Sequence, residues 1–357
     1  MESYPVTART VGRSYGIEGD RLGRAYKDHL SDFRSWDQAC HAGEWVLLPE
    51  NVGLSMSIDE TQLHDDLFTI LSNKAGHGGP GTVAAVVAGT SSKEVLNTLM
   101  QIPEETRNAV EEITMDFSES MRTIAVEAFP NAMRTVDCFH VMKRLGDALE
   151  EMRLKEKRLA MAEQKRLERQ HRERIKRNAR HRKWYRKTHP KKYTGKKRGR
   201  KPERANQHFS PPTFDNGDTR VELLTRSRYL LCKSPDKWSK RQKARAQILF
   251  REYPKLNEAY WIVNKLRAIF RSKIDKTTAT EKLQQWYKDV GKCTSRELKA
   301  ARDTIKARQD EVLNYFVNRS TNAAAESLNS KMKGFRSQLR GVADLPFYLY
   351  RVKTLFG

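Results

Sequence analysis

The chain contains 357 residues, enough for roughly two domains, and 38% of them are hydrophobic, so a core can form and wholesale disorder is excluded. No apolar run approaches the roughly 18 residues of a membrane span, and the first residues lack the apolar stretch of a secretory signal. The four cysteines stand singly, which excludes a paired-cysteine zinc knuckle and argues against a disulfide framework, so we expect a reduced, cytoplasmic protein with no membrane partner.

Positive charge is concentrated in one segment of the chain. There are 68 Lys and Arg against 44 Asp and Glu, and residues 151–204 alone contain 24 of the basic and 6 of the acidic residues. This density favours a nucleic-acid partner, because each neutralised phosphate releases counterions and adds affinity. The alternative is a solvated basic helix without a specific partner.

The first fifty residues predict a small helical region. Apolar residues recur at helical spacing, and Gly16 and Gly19 are expected at its turns. A DNA-binding helix-turn-helix is one arrangement that this pattern allows, although nothing in the sequence requires it.

From residue 54 the apolar period changes to two, which predicts strands. In chain order we first expect three strands, LSMSIDE, DLFTILSNK and GTVAAVVAG. A helix (SSKEVLNTLMQIP), a fourth strand (EEITMDFS), a second helix (SESMRTIAVEAFP) and a fifth strand (AMRTVDCFH) are expected to follow. The second and third strands predict an antiparallel hairpin with the first strand beside it. Ser118 is expected to cap the second helix and Pro130 to end it. This order predicts an α/β sheet with an antiparallel edge.

The rest of the chain is predicted to be helical. A basic helix follows His140 to about residue 187, and a Pro- and Gly-rich linker follows over residues 188–218. Helices resume over 236–316, the last of them continuous through SRELKAARDTIKARQDEVLNYF, and a final helix begins near Thr321. The core-facing stripe of that final helix is predicted to be Ala325, Leu328, Met332 and Phe335.

Three acidic residues occupy positions suited to a metal site. Asp59 lies on the first strand, Asp116 ends the fourth, and Glu326 lies on the final helix, on one face with Asn329 and Lys333. Mg²⁺ prefers a few carboxylates plus substrate phosphates, and two ions about 3.5–4 Å apart can clamp both oxygens of an in-line displacement. Each acid taken alone is better explained as a solvated turn residue. Their joint occurrence, with two aspartates on strands that disfavour Asp, favours the metal site.

Four blocks of the sequence resemble one family. SIDE, EEITMDFSESM, FPNAMRTVDCFHVMKRLGDALEE and STNAAAESLNSKMKGFRSQLRG are similar to the DDE transposases of insertion sequences of the ISL-three type, in particular the Aon-like subgroup. The likeness covers most of residues 1–153 and 320–352, and VDCFHV is its most specific block. It implies a ribonuclease-H-like core interrupted by a helical insertion, which accounts for the 210 residues between Asp116 and Glu326.

The resemblance also implies a function. Asp59, Asp116 and Glu326 would be the catalytic, metal-binding triad, with two Mg²⁺ or Mn²⁺ ions as cofactors. The reaction would be strand cleavage and strand transfer on double-stranded DNA, at transposon ends and target, by a homodimer in a synaptic complex associated with the bacterial nucleoid. The expected domains begin with a helical N-terminal region at residues 1–50, which is a candidate for DNA binding. The first part of the catalytic core follows at 51–150, the basic helical insertion at 151–316 and the last part of the core at 317–357.

One feature departs from the family. Relatives often carry a cysteine-rich zinc ribbon ahead of a helix-turn-helix, whereas this chain has no cysteine pair. End recognition is therefore expected either from a separate N-terminal-region polypeptide or from residues 5–36 alone.

Further residues are candidates for supporting roles. Asp137 and His140 follow the fifth strand, where Asp137 either supports the metal site or caps the next helix. The segment KRGRKP resembles a minor-groove AT-hook, with non-specific phosphate contact as the alternative. The residues predicted to contact DNA are Lys183, Arg186, Lys196, Lys197, Arg198, Arg200, Lys331, Lys333 and Arg336.

Two other functions remain open. One is another nuclease of the ribonuclease-H-like fold, because a fold does not dictate its substrate; the long insertion argues against it. The other is a catalytically inactive DNA-binding protein derived from a mobile element, and the presence of all three acidic residues argues against that.

Overall fold

The computed structural model describes residues 1–63, 66–189, 208–339 and 342–357. The chain forms two compact units. The sheet unit consists of Met1–Met142, Ser272–Lys282 and Ile305–Gly357, and the helical unit consists of Lys143–Arg271 and Leu283–Thr304. The linker predicted over residues 188–218 falls mostly outside the described residues, and the sequence-based domain boundaries stay a prediction.

A mixed six-stranded sheet organises the sheet unit. Its strands are β1 (Trp45–Leu47), β2 (Ser55–Leu63), β3 (Asp66–Asn73), β4 (Val83–Ala88), β5 (Glu112–Met115) and β6 (Met133–Val136). Their spatial order is β1-β4-β3-β2-β5-β6, antiparallel from β1 to β2 and parallel from β2 to β6. The predicted fold class, an α/β core with an antiparallel edge and a helical insertion, is confirmed.

Local sequence explains the central strands. On β2, Met56 and Ile58 are fully buried, as alternation predicts. β3 and β4 form the predicted hairpin, and β2 pairs with β3 so that Asp59 lies opposite Ile70. The sheet therefore places an acidic residue on one of its two central strands, opposite an apolar residue of β3.

Two strand predictions were wrong in detail. β1 was not predicted, because three residues are too few to show a period; Gln38 holds it by bonding both backbone groups of Leu47, at 2.7 and 2.8 Å. The fifth predicted strand was expected to reach His140 but ends at Val136. There the Asp137 carboxylate accepts the backbone N–H of Phe139 at 3.3 Å and starts a helix.

Helices cover the sheet and provide much of its core. They include α3 (Ser92–Leu99), α4 (Glu104–Asn108), α5 (Glu119–Ala128), α15 (Ala323–Gln338) and α16 (Leu345–Phe356). Ser118 caps α5 as predicted, accepting the N–H of Met121 at 3.1 Å. The predicted apolar stripe of α15 is buried, and Leu328, Met332 and Phe335 join a core cluster with β3 and β4. Burial of each such side chain contributes about 2 kcal/mol, which fixes α15 against the sheet.

Two short helices form the N-terminal region, α1 (Ala8–Tyr15) and α2 (Gly19–Ala25). Gly16 ends α1 in the left-handed conformation, with φ 67°. Gly19 begins α2 so close to α1 that a Cβ there would lie 2.6 Å from Cα of Arg9, so no larger residue fits. The region is helical as expected, and its binding to DNA stays a prediction.

The insertion begins with a single helix, α6 (Cys138–Thr188), of 51 residues. It is followed by α7 (Arg220–Arg226), α8 (Arg228–Cys232), α9 (Lys240–Glu252), α10 (Pro254–Arg271), α11 (Lys276–Lys292) and α12 (Arg296–Ala307). Within the described parts of the chain, no helix combines the length and apolar character needed to cross a membrane.

The continuous helix predicted through residue 316 was wrong. The chain breaks after α12 into α13 (Gln309–Leu313) and α14 (Tyr315–Asn318). Arg308 leaves the helical conformation at the break, with φ −118° and ψ 30°. Its guanidinium bonds the backbone oxygen of Ser118 and the Glu311 carboxylate, at 3.1 and 2.6 Å. These tertiary contacts replace the helical continuation that the apolar spacing favours.

Candidate active site

Asp59 projects from the middle of β2 and is half-buried. One of its carboxylate oxygens accepts the backbone N–H of Glu60 at 2.9 Å, and the other accepts the side-chain amide of Asn329 at 2.8 Å. Asn329 lies on α15, 270 residues away in sequence. The Asp59 carboxylate is thus held in one orientation by its own strand and by the helix that carries Glu326.

Asp116 follows β5, directly beside β2. The two strands are parallel, with Ser57 opposite Thr114, so Asp59 and Asp116 each lie two residues beyond a paired position. By the alternation of strands they are aligned on one face. Asp116 Oδ1 accepts the N–H of Ser118 at 2.7 Å, which fixes this carboxylate at the turn into α5.

Glu326 lies in the first turn of α15 and is exposed. It is one helical turn before Asn329, so both side chains project from the same side of the helix. Its carboxylate has no hydrogen-bond or ion-pair partner in the described portion of the chain. The third acid is therefore presented on a helix fixed by its apolar stripe, with its own oxygens uncommitted to described protein groups.

The pKa of the Asp59 carboxyl responds to its burial and to the charges of the other two acids. Burial raises the pKa of the Asp59 carboxyl above its usual range, and the negative charges of Asp116 and Glu326 raise it further. The hydrogen bond from Glu60 and the charge of His140 oppose this shift. Burial and the charges of Asp116 and Asp59 also raise the pKa of Glu60. Such mutual repulsion among acids brought together from distant segments is common at functional sites.

The donor chemistry of these acids fits a hard divalent cation. Carboxylate oxygens are the ligands that Mg²⁺ and Mn²⁺ prefer, and a cation would relieve the repulsion that raises the pKa of Asp59. Among the residues that the structure describes, no three His, Cys, Asp or Glu side chains are placed to hold one ion together. Shared binding of metal by all three acids therefore stays a prediction.

Asp137 and His140 lie next to this face of the sheet. Asp137 is only 2% exposed, and its side chain accepts the N–H of Phe139, which is the capping arrangement. Burial raises the pKa of its carboxyl. His140 lowers the pKa of both Asp137 and Asp59 electrostatically, which places its side chain near these acids. A role of either residue in catalysis stays a prediction.

A buried ion pair that the sequence analysis missed lies on the same face. Lys74 Nζ is 3.1 Å from Glu112 Oε1, and Lys74 also donates to Thr114 and Ser320. Glu112 accepts the side-chain amide of Asn318 at 2.6 Å. Burial lowers the pKa of Lys74, and hydrogen bonds to Ser320 and Lys74 lower the pKa of Glu112 despite its burial.

These hydrogen bonds connect the segment before α15 to the strands that carry the two aspartates. Ser320 and Asn318 bond partners on or beside β5, and Ser57 of β2 donates to the side chain of Asn322. Asn322 immediately precedes α15. The available sequence signal was a set of polar residues at strand positions flanked by apolar ones, such as Ser57 and Glu112.

The predicted DNA-contacting residues fall into three groups. Lys331 and Lys333 are exposed on α15 and Arg336 is half-exposed; Lys331 donates to the carbonyl of Gly78 in the turn after β3. Lys183 and Arg186 are exposed near the end of α6, in the helical unit. The remaining four, Lys196, Lys197, Arg198 and Arg200, lie outside the described residues.

Comparison with known proteins identifies the family. No curated protein and no solved structure matches the chain. A family model described as "Transposase" matches residues 56–352, which includes all three acids, the buried ion pair and the whole insertion. The chain therefore belongs to the DDE transposase family of the ISL-three type.

Proposed function

We propose that this protein catalyses metal-dependent strand cleavage and strand transfer at insertion-sequence ends, with Asp59, Asp116 and Glu326 as its catalytic residues. The observation that carries the proposal is the environment of Asp59. Its half-buried carboxylate accepts a hydrogen bond from Asn329, which lies one helical turn from Glu326. Burial is the main cause that raises the pKa of Asp59, and the charges of both other acids add to it.

The protein groups orient the acids before substrate arrives. Asn329 and the N–H of Glu60 fix Asp59, the N–H of Ser118 fixes Asp116, and the buried stripe of α15 fixes the backbone that presents Glu326. These carboxylates would hold Mg²⁺ or Mn²⁺, with two ions as the proposed number, and the metal would supply activation of the attacking oxygen and stabilisation of the leaving oxygen.

Two displacements at phosphorus complete the proposed reaction. In cleavage, the oxygen of water forms a bond to phosphorus and the bond to the 3′ oxygen breaks, which leaves a 3′-hydroxyl and a 5′-phosphate. In strand transfer, that 3′-hydroxyl attacks a phosphodiester of target DNA and releases the target's 3′-hydroxyl. Neither step needs a redox partner or a covalent intermediate with the protein.

Basic residues beside the acids would position the DNA. Lys331 and Lys333 lie on the helix of Glu326, one to two turns further along, where exposed ammonium groups can contact phosphates. Lys183 and Arg186 would add sequence-independent affinity. Because two transposon ends must be processed together, a homodimer is the proposed assembly. A separate end-recognition polypeptide is the second proposed partner.

Strand nicking tests the proposal. Asp59→Ala, Asp116→Ala and Glu326→Ala should each abolish nicking of a labelled duplex that carries the element's ends, with Mg²⁺ or Mn²⁺ present. Duplex binding should hold or tighten, because each substitution removes a negative charge beside the phosphates. A chelator should stop nicking by the unaltered protein.

Glu119→Ala is the matched control, since Glu119 also lies in the first turn of a helix of the sheet unit and is largely exposed. It should nick normally. Equal nicking by the triad variants, or nicking that persists in chelator, would reject this site. If the unaltered protein binds the duplex but never nicks it with either metal, even with the end-recognition polypeptide added, an inactive DNA-binding protein is indicated.

A further inference from the structure

A basic cavity in the sheet unit is not part of the candidate active site. Its volume is about 550 Å³, and its walls come from α1, α2, the end of α15 and α16. One carboxylate, that of Asp20, lines it together with five cationic side chains, an excess of four positive charges. These cations are Arg9, Arg13, Arg24, Lys27 and Arg351.

Among the described residues, two of the five cations form an ion pair with a carboxylate. Arg9 pairs with Asp20 at 2.7 Å, and Lys27 pairs with Asp344. Arg13 and Arg24 form no ion pair with any residue that the structure describes. The unpaired positive charge is therefore shared by α1 and α2, which face the same cavity.

Arg351 is the third cation without a carboxylate, and it is 97% buried. Its Nη2 donates to the backbone oxygen of Met1 at 2.6 Å, and its guanidinium lies over the rings of Tyr26 and Phe335, at 5.3 and 5.1 Å. Its Nε finds no acceptor in the described structure. Burial is the main cause that lowers the pKa of Arg351, and the charge of Glu2, which forms no ion pair with Arg351 among the described residues, opposes it only in part.

The missing partner is an anion with several acceptor oxygens. A guanidinium presents a planar fork of donors that matches a phosphate, and an unsatisfied buried donor lowers the stability of the fold until an acceptor reaches it. Carbonyl and aromatic contacts orient Arg351 but carry no compensating charge. The cavity is large enough for a phosphate with its flanking sugar atoms.

We infer that this cavity binds a phosphate of the DNA backbone, held by Arg13, Arg24 and Arg351. The choice of DNA rests on the proposed function. The site would anchor duplex DNA on the N-terminal helices independently of the three acids and of any metal.

Binding of a fluorescent duplex, followed by anisotropy in chelator, tests the inference. Arg24→Ala should weaken binding nearly tenfold near 0.1 M salt and lower the salt slope by about one, as expected for one lost phosphate contact. Arg21→Ala is the matched control: Arg21 lies on the same helix and is exposed, but does not line the cavity. It should change affinity less than about twofold.

Three further measurements identify the ligand. Arg13→Ala combined with Arg24→Ala should weaken duplex binding by roughly fiftyfold. Arg351→Lys keeps the buried charge but removes Nε, so it should fold, by circular dichroism, and still bind the duplex more weakly. Inorganic phosphate, added as a competitor, should displace the duplex from the unaltered protein more readily than from the double variant.

Equal losses in Arg21→Ala and Arg24→Ala would overturn the inference in favour of a diffuse basic surface. Stabilisation by millimolar inorganic phosphate, with unchanged duplex affinity in the double variant, would assign the cavity to a free anion instead. The binding assay contains chelator, so it does not depend on nicking by the three acids. The inference about the cavity and the proposed catalytic triad can therefore fail independently of each other.

Discussion

Carboxylates lie in partly or fully buried positions in both compact units, but their surroundings differ. At the candidate active site, the pKa of Asp59 is raised by burial and by neighbouring acids. In the helical unit, Asp218 has a side chain only 2% exposed, yet its pKa is lowered, because hydrogen bonds to Arg245 and Arg226 outweigh burial. Glu297 is similar: the bond from Lys155 is the main cause of a pKa lowered to about 2.

The difference separates acids that hold the fold together from acids that lower its stability. An acid paired with a cation in the folded state favours folding at neutral pH. An acid buried among like charges disfavours folding at that pH, and such an arrangement is retained where a charged ligand will complete it. The sheet unit therefore carries an electrostatic cost at the place where a cation is proposed to bind, whereas the helical unit has its buried acid compensated.

The largest expected effect comes from Asp59→Asn. Nicking should fall by more than about a hundredfold, because even the outer partners of metal ligands cost 10–100-fold when removed. Without metal, however, the variant should have a higher thermal midpoint at pH 7 than the unaltered protein, since the amide carries no charge to be desolvated. Nicking and differential scanning calorimetry measure the two effects. A lower midpoint would contradict the electrostatic comparison.

Asp218→Asn should act in the opposite direction. It weakens two charge-assisted hydrogen bonds, from Arg245 and from the half-exposed Arg226, and we expect a loss of about 3 kcal/mol. Hydrogen exchange should show the loss in α7 and α9. The exposed acid Asp303 provides a control, because Asp303→Asn should leave exchange unchanged.

Within the sheet unit, the ion pair of Lys74 and Glu112 is a compensated pair beside the candidate active site. Lys74→Met should destabilise the sheet unit by about 3 kcal/mol, because Glu112 remains buried without its cation. Adding Glu112→Gln should restore most of that stability. If the double variant is stable but nicks poorly, the pair serves to position the segment before α15. If stability and nicking recover together, its role is structural only.

Acidification should give the smallest and most local effect. The pKa of Glu297 is lowered, so its contribution to stability is full above its unfolded value of 4.5 and is lost as pH falls towards about 2. The pKa of Asp59 is raised, so its contribution is full below the unfolded value of 3.8 and is lost as pH rises through the folded value. As the pH falls from 7 to 4, the protection factors of the backbone amides against hydrogen exchange should therefore rise around β2. Around α12 the protection factors should begin to fall only below about pH 4.5.

Local sequence pattern was sufficient for much of the sheet unit. The period of two located β2, β3 and β4, and the Ser118 cap located the start of α5. The apolar stripe of α15 was correct at every predicted position. These features depend on interactions between residues close in sequence, or on which face of an element avoids water, and both are visible in a single segment.

Contacts between distant segments explain what the pattern missed. β1 exists because β4 supplies its partner strand, and the helix break at Arg308 follows from a contact with Ser118 190 residues away. Neither is encoded in the spacing of neighbouring residues. The break shows that one buried guanidinium can outweigh a good helical repeat.

The sequence by itself determined that the sheet forms, that positive charge concentrates in the insertion, and that three acids stand at strand and helix positions suited to metal. Only the tertiary structure decided that Asn329 donates a hydrogen bond to Asp59 and that Lys74 and Glu112 bind the segment before α15. It also decided that Arg351 is buried with no ion-pair partner among the described residues. The physical reason is that periodicity reports which side of an element is buried. The partner of a buried polar group depends instead on which distant segment folds against it.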